Sequence, residues 1–192
     1  VRFDRLQVAL ALPYLPGTLR PCEGAVTVTI TRPVRRRPVF HPLPVAAVER
    51  LTADAVAVTF AVPEELRSTF SFRAGQHLTV RRVTEAGAEV RRSYSLCSTP
   101  QELAATGRLR IGVREVPGGA FSSFACAVLR DGDTVDVLPP MGTFTTAFDP
   151  ERVRHYAAVA GGSGITPVLS LVATALATEP ASSFTLLYGN RT

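Results

Sequence analysis

The sequence predicts a six-stranded antiparallel β-barrel followed by the opening β–α–β part of a parallel-sheet domain. Two observations carry this. Between residues 40 and 149, six short segments alternate apolar and polar residues and are separated by turn signals. After Asp149-Pro150 the pattern changes to a fully apolar run, a glycine loop, a helix opening and a second apolar run.

The barrel strands are predicted at 44–50, 55–62, 76–83, 92–97, 107–114 and 134–138. In the second, Val56, Val58, Phe60 and Val62 fall on one face, as period-two alternation requires of a half-buried strand. Glycine and proline punctuate the connections: Ala74-Gly75, Glu85-Ala86-Gly87, Pro117-Gly118-Gly119 and Asp131-Gly132. One helix is expected over 123–130, with Ser122 as its N-cap and Asp131-Gly132 as its stop. Beyond the barrel, strands are predicted at 155–160 and 184–188. They flank a helix that Thr166-Pro167 opens and that runs to about Thr178. Two parallel strands cannot cover both of their own faces, so the reading expects this domain, 150–192, to be incomplete. Residues 1–39, rich in Arg and Pro and without a sustained period, are expected to be a poorly ordered head.

Charge excludes one function class. All 21 basic residues are Arg. Seven lie within residues 1–40 against two acidic residues, while 14 arginines balance 14 acidic residues over 41–192. The pI near 9.7 therefore belongs to the head, and the body lacks the basic face of a nucleic-acid binder. Cys22, Cys97 and Cys126 are widely spaced with no C-x-x-C pair, so no metal ligand set is written here. Their sparse, odd number suits a reducing, cytoplasmic setting. The charge-free stretch 156–178 has transmembrane length, but its Gly-Gly-Ser-Gly and Pro fit a strand, loop and helix instead.

Three motifs carry candidate chemistry. Gly161-Gly162-Ser163-Gly164, between a buried strand and a helix, permits close backbone approach to a phosphate, though a plain turn reads the same way. Arg92-Ser93-Tyr94-Ser95 offers a bidentate cation, an aromatic face and a small hydroxyl. Arg92 and Tyr94 share one face and Ser95 the other, so a ligand has to wrap the strand edge; an ordinary solvated strand is the alternative. Gly118-Gly119-Ala120-Phe121-Ser122 reads as a second anion site or as a well-capped helix start.

In this order, and with Pro140-Met141-Gly142-Thr143-Phe144 between them, these motifs resemble the ferredoxin-NADP⁺ reductase superfamily over roughly residues 40–192. The additional stretches His41-Pro42-Leu43, Phe72-Arg73-Ala74-Gly75-Gln76-His77-Leu78 and Leu187-Tyr188-Gly189-Asn190-Arg191-Thr192 narrow the resemblance. They are similar to the reductase subunits of phenylacetyl-coenzyme A epoxidase systems. The resemblance implies a Greek-key FAD-binding barrel in which Arg92 holds the FAD pyrophosphate, Tyr94 packs along the ribityl and isoalloxazine, and Ser95 points at flavin N5. It implies phosphate binding by Gly119 and Ser122, with Ser93 and Gly118 in the same cofactor-binding motifs. Gly161, Gly162, Gly164 and Thr166 are implied to face the nicotinamide nucleotide and Arg191 an adenosine 2′-phosphate. Ser95 and Thr166 are the implied catalytic pair, and Pro140, Gly142 and Phe144 close the barrel.

The implied activity is electron transfer from NADPH (or NADH) through FAD to an iron–sulfur or oxygenase acceptor in phenylacetate catabolism. A 2Fe-2S cluster is expected only beyond Thr192. The family's remaining nicotinamide-domain strands and a cysteine near the hydride site have no counterpart in this sequence, and the residues before Phe40 match no motif of it. Two alternatives stand beside this reading: a flavin-binding module without turnover, and a reductase of the same superfamily for another acceptor.

Overall fold

A computed structural model of the chain describes residues 38–190. Of the expected head over residues 1–39, residues 1–37, Cys22 included, lie outside the described residues, as does Arg191. Six strands form one sheet: β1 (His41–Thr52), β2 (Ala55–Ala61), β3 (His77–Val83), β4 (Glu89–Ser95), β5 (Arg108–Arg114) and β6 (Thr134–Met141). Their order is β4-β3-β6-β1-β2-β5, every pairing is antiparallel, and neighbours in space are mostly not neighbours in sequence. That is the Greek-key pattern. The two outer strands meet where Leu96, just past β4, bridges Ile111 of β5, and the Cys97 N–H donates to the Arg110 carbonyl at 2.9 Å.

Alternation explains which residues fill this barrel. Val56, Val58, Phe60 and Val62 are all buried, as their spacing predicts. Leu78 and Val80 of β3 and Leu109 and Ile111 of β5 join them in a single apolar cluster, plugged by Phe70 from the 62–76 connection. Each large apolar side chain removed from water stabilises the barrel by about 1.5–3 kcal/mol. Strand β6 extends past the expected end at Leu138 to Met141, because its terminal prolines are tolerated where a bulge interrupts pairing with β3.

The barrel is closed at one end by a clasp. The Arg73 guanidinium donates to Thr145 Oγ1 at 2.9 Å and the Gln76 amide to the Gly142 carbonyl at 3.1 Å. Gly75 has φ +91°, and a Cβ there would stand 1.9 Å from the Phe144 carbonyl oxygen. Phe144 as a residue is 62% exposed. Closure at this position is therefore made by the Phe144 backbone, whereas the motif had pointed to the residue as a whole.

Two helices serve the barrel. The first, α1 (Pro100–Thr106), was not anticipated from the sequence. Thr99 caps it, its Oγ1 accepting from the Glu102 N–H at 3.0 Å, and Gly107 ends it in the left-handed conformation. The second, α2 (Ser122–Ala127), begins at Ser122 rather than after it. Phe121 is its N-cap and makes no side-chain capping bond.

After the barrel come β7 (His155–Gly161), a 3₁₀ turn (Gly162–Gly164), α3 (Ile165–Thr178) and β8 (Ser183–Gly189). β7 and β8 pair in parallel. α3 lies against the barrel: Ser170, fully buried, donates to the Ser98 carbonyl at 2.7 Å, and the Gln101 amide donates to Thr178 Oγ1 at 3.0 Å. On the opposite face of the two strands Val159 and Leu187 are 80% and 62% exposed. Among the described residues no helix is long and apolar enough to cross a membrane.

A buried carboxylate knots this second part together. Glu179, at 0% exposure, accepts from the Asp149 N–H (3.0 Å), the Tyr156 hydroxyl (2.8 Å) and the Ser182 hydroxyl (2.8 Å), with Arg152 at 3.7 Å. Burial alone pushes its pKa up, but the Asp149 N–H, the two hydroxyls and Arg152 together hold it below the usual glutamate range. A carboxyl depressed in the fold stabilises it above the ordinary glutamate range and loses that contribution as pH falls through the depressed value. Glu179→Gln should therefore lower the melting temperature at neutral pH, with the gap to wild type closing in acid. A gap of constant size across that range contradicts this account. In the barrel, Gly75→Ala should cost at least about 1–3 kcal/mol in denaturant unfolding, from its positive φ alone.

Candidate functional site

The sheet order leaves β4 at an edge, and the site forms there. Tyr94 lies opposite Leu78 and Arg92 opposite Val80, on the face that β3 turns toward the core. Ser93 and Ser95 lie opposite Thr79 and His77 on the other face, where the Ser93 and Thr79 hydroxyls bond at 3.0 Å. Because β4 has a neighbour on one side only, both faces border the same open cleft, of about 470 Å³. The expected wrapping of a strand edge is thus geometrically available.

The cleft gathers residues from three separated segments. Arg92, Ser93, Tyr94 and Ser95 form one wall; Gly112 and Arg114 of β5 form the floor. Glu115, Val116, Gly119, Phe121 and Ser122 form the far side, with Ser163 and Thr166 at the start of α3. Tyr94 is half-buried, with its ring centroid 5.6 Å from that of Phe121. Burial pushes its phenol up against the pull of the neighbouring Arg92 guanidinium. Among the described residues, Arg92 bonds only the adjacent Arg91 carbonyl, at 2.8 Å, and pairs with no carboxylate. Its neighbour Arg91 is engaged, ion-paired with Glu89 and lying over the Phe40 ring. A guanidinium with open donors beside an aromatic wall suits an anionic, partly aromatic ligand.

The 116–122 turn is held from behind. The Ser122 hydroxyl accepts from the Val116 N–H at 3.1 Å, and the Gly119 N–H donates to the Val116 carbonyl at 2.7 Å. A Cβ on Gly119 would fall 2.3 Å from Ser122 Oγ, so glycine is required by this close approach. Ser122 thus shapes the turn instead of capping the helix. Arg82 steadies the same turn, donating to the Ala120 carbonyl at 2.9 Å while its guanidinium lies 4.1 Å from the Phe124 ring centroid.

A second cleft, of about 600 Å³, lies across Thr166 from the first. Gly162, Ser163, Ile165, Thr166, Tyr188 and Asn190 border it at the carboxyl ends of β7 and β8, facing the β1–β2 turn and β5. The Tyr188 hydroxyl donates to the Gly162 carbonyl at 3.2 Å. Thr166 does not open α3, which begins one residue earlier, at Ile165. It is the second residue of the helix, and its hydroxyl donates to the Ser163 carbonyl at 3.0 Å.

Of the residues singled out from the sequence, Arg92, Ser93, Tyr94, Ser95, Gly119, Ser122 and Thr166 meet in the first cleft, and Gly162 and Thr166 border the second. Gly118, Gly161 and Gly164 shape the adjoining turns without lining either. Sequence reasoning missed Gly112, Arg114 and Ser163. Arg114 is ion-paired to Asp54 at 2.7 Å; the Thr52 hydroxyl and then Arg114 hold that carboxyl below its usual range. Cys97, beside the first motif, bonds the Arg110 carbonyl, and burial pushes its thiol up to about 11, so it stays protonated.

The model of the family described as "Oxidoreductase FAD-binding domain" matches residues 42–146, the whole barrel and both helices that serve it. The chain belongs to that family. Within this FAD-binding oxidoreductase family it is 47% identical over 153 residues to a component of 1,2-phenylacetyl-CoA epoxidase from Escherichia coli (strain K12), covering 80% of this chain and 42% of that protein. It is 39% identical over 150 residues to the ferredoxin reductase component of 3-ketosteroid-9-alpha-monooxygenase from Rhodococcus rhodochrous, covering 78% and 40%. Among solved structures, phthalate dioxygenase reductase, described as "a modular structure for electron transfer from pyridine nucleotides to [2Fe-2S]", superposes with TM-score 0.62. The two share 31% identity over 80% of this chain and 44% of the other. The chain thus spans about two fifths of the length of these relatives.

The contrast between Arg91, ion-paired with Glu89, and Arg92, which pairs with no carboxylate among the described residues, yields a direct test. Arg92→Ala should weaken FAD binding by about 10–100-fold, as losing a charge-assisted phosphate contact worth about 1.5–3 kcal/mol does. Arg91→Ala should change it far less. Titration of each variant with FAD, followed by flavin fluorescence, checks the order.

Proposed function

We propose that the chain is the FAD-binding part of a reductase that takes electrons from NAD(P)H and passes them to an iron–sulfur or oxygenase acceptor. Phenylacetate catabolism is the setting that the similarity to the epoxidase component favours. The observation that carries this reading is the convergence of Arg92, Tyr94, Ser95, Ser122 and Thr166 on one cleft at the open barrel edge.

The residues present fit a flavin nucleotide. Arg92 brings open guanidinium donors for a pyrophosphate, and Tyr94 with Phe121 brings a braced aromatic wall for a planar ring. Ser95 brings a hydroxyl with no bond among the described side chains. When bound, the flavin supplies hydride acceptance and release of single electrons. The protein's share is placement. Arg92 fixes the phosphates, Tyr94 and Phe121 exclude water from one side, and Ser95 offers a hydroxyl at the ring edge. Ser163 and Thr166 form the wall that separates this cleft from the second.

The second cleft fits the nicotinamide nucleotide. It lies off the carboxyl ends of parallel strands, where such sheets bind dinucleotides, beside the glycine turn and α3. Arg191 follows Asn190 on its rim in sequence and is proposed to meet an adenosine 2′-phosphate. Ferredoxin reductase components and the terephthalate 1,2-dioxygenase reductases from Comamonas sp. are among the similar proteins, which supports an oxygenase-system acceptor.

Cofactor preference tests the second half of this reading. NADPH should reduce the flavin at least as fast as NADH when followed anaerobically by loss of flavin absorbance. Arg191→Ala should remove most of any NADPH advantage. An equal loss with both nucleotides assigns Arg191 a structural role.

A further inference from the structure

Gly112 sits in the middle of β5, paired with Ala57 of β2, and its φ is not positive. Nothing in its backbone conformation calls for glycine, and a bare backbone inside a strand ordinarily weakens it. Along β5 the side chains of Leu109, Ile111 and Val113 turn into the core, while Arg110, Gly112 and Arg114 turn outward. The arginines on either side are occupied, Arg110 by Glu49 and Arg114 by Asp54. Between them Gly112 leaves a gap in the outer face. The first turn of α3 fills it: a Cβ on Gly112 would stand 2.9 Å from Thr166 Cγ2, with no other atom beyond its own chain neighbours within 4 Å.

Thr166 has little room to yield. Its hydroxyl is committed to the Ser163 carbonyl at 3.0 Å, and a β-branched side chain in a helix has few rotamers. The rest of α3 is fixed further along by the Ser170–Ser98 and Gln101–Thr178 bonds. Any added bulk at 112 is therefore absorbed locally. Either the Gly162–Gly164 turn and the helix start move off β5, or Thr166 rotates and releases Ser163.

Both clefts share Gly112, Arg114, Ser163 and Thr166 as lining residues. The Gly112–Thr166 contact is thus the partition between them. We propose that Gly112 is a positioning residue. By lacking a side chain it lets Thr166 seat on β5, and so fixes how closely the glycine turn of the second cleft approaches the first. The consequence for electron transfer rests on the flavin and nicotinamide reading above; the contact itself does not.

The test uses the 192-residue chain with and without FAD, in Gly112→Ala, Gly112→Val, Thr166→Ser and the Gly112→Ala/Thr166→Ser double variant. Thr166→Ser removes Cγ2 while keeping the hydroxyl that holds Ser163. Hydrogen exchange of the amides at 162–166 in the flavin-free protein reads the partition. Gly112→Ala should speed it by about tenfold or more, a local opening, and Gly112→Val further. The double variant should return it to within about threefold of Thr166→Ser, the signature of a direct coupling. With FAD bound, the visible circular dichroism of the flavin should change in Gly112→Ala and revert in the double variant. Unaltered exchange in Gly112→Val, or a double variant no better than Gly112→Ala, overturns the proposal. So does a flavin signal indifferent to Gly112→Val. Failure of every variant and the wild type to bind FAD instead overturns the proposed function, leaving the exchange result to judge the contact.

Discussion

Strand β3 pairs with β4 over seven residues, from His77 opposite Ser95 to Val83 opposite Glu89, yet on its far side β4 meets β5 only beyond its end, at Leu96. The rest of the site depends on this one-sided pairing. A fully paired strand presents one face to the core and one to solvent, and Arg92 and Ser95 would lie on opposite sides of a closed wall. With the edge open, the motif on β4 lines a single cleft from both faces. An open edge is ordinarily a liability for self-association. Here the 116–122 turn and the start of α3 stand across it, and the charged Arg92 and Arg114 border it.

The parallel unit docks on the outer face of β5, where α3 lies with its first turn against Gly112. The Ser98–Ser170 bond and the α1–α3 bond between Gln101 and Thr178 hold the helix. Glu179, buried among Asp149, Tyr156 and Ser182, ties the connecting segment, β7 and the turn before β8 to the helix end. The glycine turn is thereby carried to the rim of the first cleft by a chain of buried polar contacts. Such contacts are specific in geometry and costly to leave half-made.

Much of this was legible in the sequence because it is written in periodicity. Val56, Val58, Phe60 and Val62 reveal their strand, and the apolar runs around the glycine loop reveal the parallel unit. The ordered motifs located most of the first cleft. The features missed are those that local pattern does not encode. Helix α1 is short and its apolar content slight, so only the Thr99-Pro100-Gln101-Glu102 start and Gly107 announced it. The hydroxyls of Ser122 and Thr166 stand where capping residues stand, but their partners, Val116 and Ser163, are settled by how the turns fold back. Phe144 is recognisable as a motif residue, yet its backbone does the closing. Gly112 and Arg114 belong to an ordinary-looking strand and acquire meaning only once α3 lies against it.

The central claim is that the open edge of β4 is a flavin site, and retention of the cofactor tests it most directly. The 192-residue chain should be reconstituted with excess FAD, passed through gel filtration and assayed for flavin absorbance alongside an Arg92→Ala/Tyr94→Ala variant. The account predicts one FAD retained per chain, with fluorescence quenched by the Tyr94–Phe121 wall, and little or none retained by the variant. A flavin-free wild-type chain, or equal retention by the variant, would contradict it.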